Sequence, residues 1–185
     1  MTFPLGGTGL LATIIQDGTA VAASAAQTSL LAGTAGVSTL PAGWLGPAGG
    51  ADLELYAAGR LSTPAATQGN LTFTFRVGSV NAAITPTFVS LASLTTITWE
   101  LYWNFSVRTT GNSTAATIMH TGYFLSALVS SSVLVNLIPA TAPVVGTGFD
   151  STAAQTLDLQ VTWSNATAGN TITLHQYRLR QSNAY

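Results

Sequence analysis

Large apolar side chains stand at every second position of residues 96–108, with polar or charged side chains between them. The apolar positions are Ile97, Trp99, Leu101, Trp103, Phe105 and Val107. A period of two places alternate side chains on opposite faces of a β-strand, whereas an amphipathic helix repeats every 3.6 residues. At about 3.3 Å per residue the run reaches roughly 40 Å, enough to cross a whole sheet. It therefore predicts a central strand with one face in a hydrophobic core.

The same pattern recurs along the chain in shorter runs separated by Gly-, Pro- and Asn-rich turns. The predicted strands are residues 10–15, 28–32, 51–60, 70–77, 96–108, 116–126, 132–137, 156–164 and 171–180. Only residues 21–27, which are rich in Ala, are compatible with a helical turn. We therefore expect an all-β antiparallel sandwich of about eight strands, of jelly-roll type.

The length of 185 residues fits a single domain. Residues 1–50 are rich in Gly, Ala and Thr and are interpreted as an N-terminal arm with the first strands, ahead of a main sandwich over residues 51–185. Trp44 is expected to anchor an irregular Gly- and Pro-rich loop. In the last strand, Ile172 and Leu174 are predicted to face inward, opposite Thr173, His175 and Tyr177.

Charged side chains are scarce, at 6% of residues, whereas an ordinary soluble domain has roughly 25%. Lysine is absent, and five Arg against six acidic residues give a net charge of -1. The chain therefore lacks the basic surface that binds nucleic acid or anionic lipid. A nearly neutral surface also gives little repulsion between copies, which suits a homomeric assembly. The alternative explanation is that the chain is a lone domain whose surface is solvated by Thr, Ser, Asn and Gln.

Neither a membrane span nor a secretory signal is expected. The most apolar window, residues 123–140, is interrupted by Ser126, by three consecutive serines and by Asn136, which indicates two strands and a turn. A secretory signal peptide begins with an n-region that carries Lys or Arg, and no Lys or Arg precedes the first apolar segment of this chain.

Residues suited to catalysis or to metal binding are few. The chain has no Cys, and its two histidines, His120 and His175, lie in predicted strands with no acidic neighbour at useful spacing. Residues 7–12 match a dinucleotide-binding pattern, but no helix is predicted after them to cradle a phosphate. We therefore expect no catalytic residue, no metal site and no cofactor.

Glu54 and Glu100 are the only glutamates, and both are predicted on outward faces beside Tyr56 and Tyr102. Two carboxylates about 5–9 Å apart hydrolyse glycosidic bonds in many enzymes. Pairing of the glutamates with Arg60, Arg76 or Arg108 is the simpler expectation, and a glycosidase is the weakest of the functions considered.

Residues 116–126 are apolar on both faces, with Ile118, His120 and Phe124 alternating against Met119 and Tyr123. A strand with two apolar faces is covered on both sides. We expect the core to cover one face and a neighbouring subunit to cover the other.

The run Leu157-Asp158-Leu159-Gln160-Val161-Thr162-Trp163-Ser164-Asn165-Ala166-Thr167-Ala168-Gly169-Asn170-Thr171-Ile172-Thr173 resembles small β-sandwich virion proteins of tailed bacteriophages. An early Thr-rich segment and a long aromatic strand followed by a hairpin add to the similarity. The resemblance implies a location on the virion and no enzymatic activity. The implied role is a capsid decoration or cement protein, expected to be a homotrimer, that bridges neighbouring subunits of the major capsid protein.

The alternative is a tail- or fibre-associated module, or a carbohydrate-binding one. In that function Tyr56, Tyr102 or Trp44 is expected to stack against sugar rings on a host surface.

Overall fold

Two antiparallel sheets pack face to face around a hydrophobic core. The computed structural model describes residues 9–34, 36–45, 51–142, 145–146 and 148–183, and none of these residues is helical. The predicted fold class, an all-β antiparallel sandwich, is confirmed. No helix that could cross a bilayer occurs in this part of the chain.

Twelve strands form the two sheets. They are β1 Gly9–Ile14, β2 Val21–Ala22, β3 Thr28–Ser29, β4 Ser38–Leu40, β5 Asp52–Ser62, β6 Leu71–Val77, β7 Val80–Ile84, β8 Ile97–Thr109, β9 Thr117–Ser126, β10 Leu134–Ile138, β11 Gln155–Trp163 and β12 Thr171–Asn183. The large sheet has the order β1-β12-β5-β8-β9-β10, with β2 also paired to β12. The small sheet has the order β3-β11-β6-β7, with β4 also paired to β11.

Strand β8 lies inside the large sheet between β5 and β9, and its apolar face is buried as the alternation predicts. Aromatic rings from β6 in the small sheet meet this face. The Phe75 and Phe105 rings stack with centroids 4.1 Å apart, and the Phe73 and Trp99 centroids lie 5.4 Å apart. Each such pair contributes about 0.5–1.5 kcal/mol beyond the area that it buries. These contacts join the two sheets at the centre of the core.

Among its crossings between the sheets, the chain passes from the large to the small sheet between β5 and β6, and from the small to the large sheet between β11 and β12. The two crossings are tied together, because the Asn170 side chain accepts a hydrogen bond from the Gly69 amide (3.0 Å) and donates one to Asn165 (2.8 Å). Asn170 is fully buried. The ribbon β5–β6 thus pairs with the ribbon β11–β12 across both sheets, which is one feature of a jelly-roll type of sandwich.

The N-terminal segment adds strands to both sheets, since β1 and β2 pair with β12, and β3 and β4 pair with β11. The structure therefore has twelve strands and not about eight. Three of the strands lie at residues 21–22, 38–40 and 80–84, where the sequence predicts none. The helical turn expected at residues 21–27 was wrong, because Val21 is buried and pairs with Ile172. Strands β2 and β4 are too short to show a period in the sequence, and they form because β12 and β11 offer unpaired backbone groups.

The expectation for Tyr177 was also wrong, because its side chain points inward and is 1% exposed. The pairing of β12 with β5 shifts by one residue between Leu174 and Gln176. Such a bulge reverses the face on which all later side chains of the strand lie. Ile172 and Leu174 before the bulge are buried as predicted, and Leu179 after it is buried together with Tyr177.

A methyl group at Gly122 is expected to destabilise the fold, because β8 and β9 approach each other closely there. An added Cβ would lie 2.2 Å from the carbonyl oxygen of Tyr102 and 2.9 Å from the Cα of Trp103. Gly122→Ala should lower the free energy of unfolding, measured by urea denaturation, by about 1–3 kcal/mol. Gly9→Ala is the control, since nothing lies within 4 Å of its added Cβ. Equal stability of the two variants would contradict this account of the β8–β9 contact.

Candidate functional site

A row of side chains crosses the outer face of the large sheet from β12 to β10. Successive strands place Arg178, Tyr56, Tyr102, Tyr123 and Leu137 directly beside one another. The predicted outward positions of Tyr56 and Tyr102 are thus correct, and the register makes these two residues immediate neighbours. We call these five residues the tyrosine row.

Contacts within the tyrosine row occupy part of its ring surface. Tyr102 and Tyr123 stack with centroids 5.4 Å apart, and the guanidinium carbon of Arg178 lies 5.8 Å from the Tyr56 ring centre. The Tyr102 hydroxyl donates a hydrogen bond to Glu54 Oε1 at 2.9 Å. Burial raises the pKa of Tyr102, and the bond to Glu54 raises it further. A sugar that stacks here must therefore use the ring surface that these contacts leave open.

The two glutamates are not direct neighbours in the sheet. Glu54 lies opposite Asn104, whereas Glu100 lies opposite Ala58, four residues further along β5. That offset corresponds to about 13 Å between backbone positions along the strand, and the Glu54 carboxylate already accepts a hydrogen bond from the Tyr102 hydroxyl. Glu54 contacts Arg180, with 3.8 Å between Oε2 and Nε, so its predicted pairing with Arg60, Arg76 or Arg108 was wrong.

His175 has an acidic neighbour that sequence spacing does not show. Its Nδ1 is hydrogen bonded to a carboxylate oxygen of Asp17, which follows β1 and is 158 residues away in the chain. Both residues line an open groove of about 650 Å³ that also includes Tyr56 and Arg178. The expectation that His175 has no acidic partner was therefore wrong, because pairing of β1 with β12 brings the two together.

His120 is a packed core residue, which is the default expectation for it. It is 6% exposed, and its Nδ1 accepts a hydrogen bond from Trp103 Nε1 at 3.1 Å. Burial lowers the pKa of His120 below its usual value. The ring is therefore kept neutral, and one of its nitrogens is already engaged.

Other candidate positions have ordinary structural surroundings. Trp44 is partly buried and packs against the core, as expected for a loop anchor. Residues 9–12 of the dinucleotide-like pattern lie in β1, and residues 7–8 lie outside the described residues. Within the described residues, no group of three or more His, Asp or Glu side chains is placed to hold a metal ion.

One side of the sandwich combines exposed apolar side chains with a lack of charge. This uncharged flank contains β7, β10, residues 86–91 and the neighbouring part of β9. Its exposed large apolar residues are Ile84, Val89, Leu91, Tyr123, Val133, Leu134, Val135, Leu137 and Val145. All of them belong to residues 77–99 and 109–149, two segments without any Asp, Glu, Lys or Arg.

An open groove of about 430 Å³ runs along the uncharged flank. One wall is formed by residues 86–89 and the other by residues 135–137 with Val129 and Ala140. Val89 and Leu137 beside it are 63% and 67% exposed. The groove thus separates the edges of the two sheets and is lined by neutral side chains.

Strand β9 has one buried face and one partly open face. Ile118, His120 and Phe124 are buried, whereas Tyr123 on the outer face is 39% exposed. The described chain therefore leaves part of the second apolar face accessible. The neighbouring subunit expected to cover it stays a prediction.

The uncharged flank could have been predicted from the positions of the charged residues along the sequence. Arg76 and Glu100 border one uncharged segment, and Arg108 and Asp150 border the other. The composition shows the low overall charge, but the uneven distribution of charged residues along the chain indicates this surface more specifically. The placement of both segments on one side required the strand order, which periodicity does not give.

Comparison of the chain with protein-family models, with curated proteins and with solved structures finds no match. No relative therefore supplies a site residue that could be transferred to this sequence. The function is argued below from the surfaces of this chain and from the resemblance carried by residues 157–173.

Acidification is expected to destabilise the protein through His120. Its pKa is lowered on folding, so the unfolded state binds a proton first when the pH falls below about 6.5. The stability that neutral His120 provides is therefore complete above that pH and is lost as the pH falls towards its lowered pKa. Urea denaturation between pH 7.5 and 5.5 should show this loss, with a slope of at most about 1.4 kcal/mol per pH unit.

His120→Gln should reduce this pH dependence, and His175→Gln is the matched control that should retain it. An unchanged slope in His120→Gln would show that another group is responsible.

Proposed function

We propose that this chain is a non-enzymatic structural protein of a tailed-bacteriophage particle that works as a homomeric assembly. Its role is that of a capsid decoration or cement protein, which stabilises the shell by bridging neighbouring subunits. The observation that carries this proposal is the uncharged flank, where exposed apolar side chains line an open groove.

Monomeric soluble proteins usually protect the edges of their sheets with charged residues, bulges or covering segments. The uncharged flank has no charged residue along two sheet edges, and Val135 and Leu137 are more than half exposed. Contiguous exposed apolar surface of this kind is typical of a protein contact. A protein that is always part of an assembly has no need to keep such a surface soluble.

Elsewhere on the surface, several charged groups bind within the chain. Asp158 accepts hydrogen bonds from Ser29 and Gln160, both at 2.7 Å. Arg76 donates to the carbonyl oxygen of Ser79 at 2.7 Å. These groups are used in holding the fold, which supports a structural role.

Location on a phage particle is supported by the resemblance of residues 157–173 to small virion proteins. In the structure this run is β11, a turn and the start of β12, and the turn contains the buried Asn170. The partners proposed are other copies of this chain and the major capsid protein. The resemblance implies a trimer, whereas the outer edge of strand β10 favours pairs of copies. The measured mass of the assembly distinguishes a trimer from a dimer.

The purified chain is expected to form an assembly whose mass, measured by light scattering at micromolar concentration, is a multiple of 18.9 kDa. In particles of a phage that encodes this chain, gold-labelled antibodies should mark the shell. A chain that stays monomeric and is missing from purified particles would contradict the proposal.

A tail-associated, carbohydrate-binding module is the second candidate, favoured by the groove of about 650 Å³ beside Tyr56 and Arg178. Antibody label on the tail, together with binding to a glycan array that Tyr56→Ala abolishes, would support it. Tyr123→Ala is the matched control, because Tyr123 lies in the same row but outside this groove.

A further inference from the structure

Strand β10 is an outer edge of the large sheet among the described residues, is five residues long and ends just before Pro139. Its register with β9 is continuous over residues 134–138, so no bulge turns the strand away. No charged residue lies on it, and the nearest ones in sequence are Arg108 and Asp150. Alternate residues of an edge strand point their amide and carbonyl groups away from the sheet. β10 is therefore a ready template for another strand.

The side chains of β10 form an apolar palindrome around Asn136. The sequence is Leu134-Val135-Asn136-Leu137-Ile138. Read backwards it again gives two apolar residues, Asn, and two apolar residues. In an antiparallel pair of two copies centred on Asn136, Val135 of each copy lies opposite Leu137 of the other. Leu134 likewise lies opposite Ile138 of the other copy, so four of the five pairs are apolar.

We propose that two copies of this chain pair through β10 in antiparallel register about a twofold axis at Asn136. This inference rests on the proposed function and specifies how copies contact each other. The two large sheets then form one continuous sheet, and their outer faces lie on the same side. The exposed Val135 and Leu137 of both copies become neighbours across the axis, next to the tyrosine row.

A second copy fits this edge better than an unrelated protein does, for two reasons. A twofold contact requires a surface complementary to itself, and the palindrome around Asn136 meets that condition. A charged edge would repel its own copy, whereas residues 109–149 carry no Asp, Glu, Lys or Arg.

A lysine on the outer face of β10 tests the contact. Leu137 is 67% exposed, so Leu137→Lys should leave the fold intact, as circular dichroism would show. Across the twofold axis the two new lysines occupy diagonal positions, with their Cα atoms about 7–8 Å apart. Repulsion and loss of apolar contact should raise the dissociation constant about 100-fold or more, measured by analytical ultracentrifugation.

Leu10→Lys is the matched control, because Leu10 is 61% exposed on β1, the opposite edge of the same sheet. It should leave the association unchanged. Dissociation by Leu10→Lys and not by Leu137→Lys would overturn the inference.

A single cysteine tests the register, since the chain contains none of its own. Residues directly opposite in an antiparallel pair have Cα atoms about 4.5–5.5 Å apart, within the range that a disulfide spans. Under mild oxidation Asn136→Cys should therefore link two copies. Leu137→Cys should react at least about ten times more slowly, because Leu137 faces Val135 and not its own equivalent. Faster linkage at residue 137 would overturn the register.

The outcomes separate this inference from the proposed function. A native assembly of two copies that Leu137→Lys dissociates supports both. An assembly of three copies, or one insensitive to Leu137→Lys, overturns the β10 pairing and leaves the structural role in place. A native chain that is monomeric at all concentrations and does not occur on particles overturns both.

Discussion

Contact between the aromatic faces of β8 and β6 is the interaction on which the rest of this structure depends. Trp99 and Phe105 of β8 are buried against Phe73 and Phe75 of β6. The chain has no disulfide, and its described residues form no helix, so the two sheets are held by apolar burial and strand pairing. The outer faces then follow from the alternation, because each inward aromatic fixes its neighbours as outward.

The few charges of this protein are placed unevenly, and this separates its surface into two parts. The outer face of the large sheet carries Glu54, Glu100, Arg178 and Arg180 among the tyrosines, and the flank beside β10 carries no charge. Neighbouring groups with opposite charge compensate one another on the first surface. On the second, most of the large exposed side chains are apolar. The second surface therefore favours association, and the first favours solvation.

Much of the fold was predictable from the sequence, and less of the candidate site was. The alternation in β8 fixed its buried face residue by residue, and Tyr56 and Tyr102 were correctly expected on the outer face. Tyr177 was misplaced because a bulge interrupts the period of its strand, and no residue type in β12 marks that bulge. The His175–Asp17 contact was missed because the two residues are 158 positions apart.

The sequence by itself determined the longer strands other than β7 and most of the side chains that they bury, because period-two burial is a local property of each strand. Only the tertiary structure decided which strands lie at the edges. That order brings two uncharged segments, residues 77–99 and 109–149, to one side and, among the described residues, leaves one edge of β10 without a partner strand. The physical reason is that strand neighbours are chosen by backbone hydrogen bonds, which are the same for every residue type except proline and so leave no pattern in the sequence.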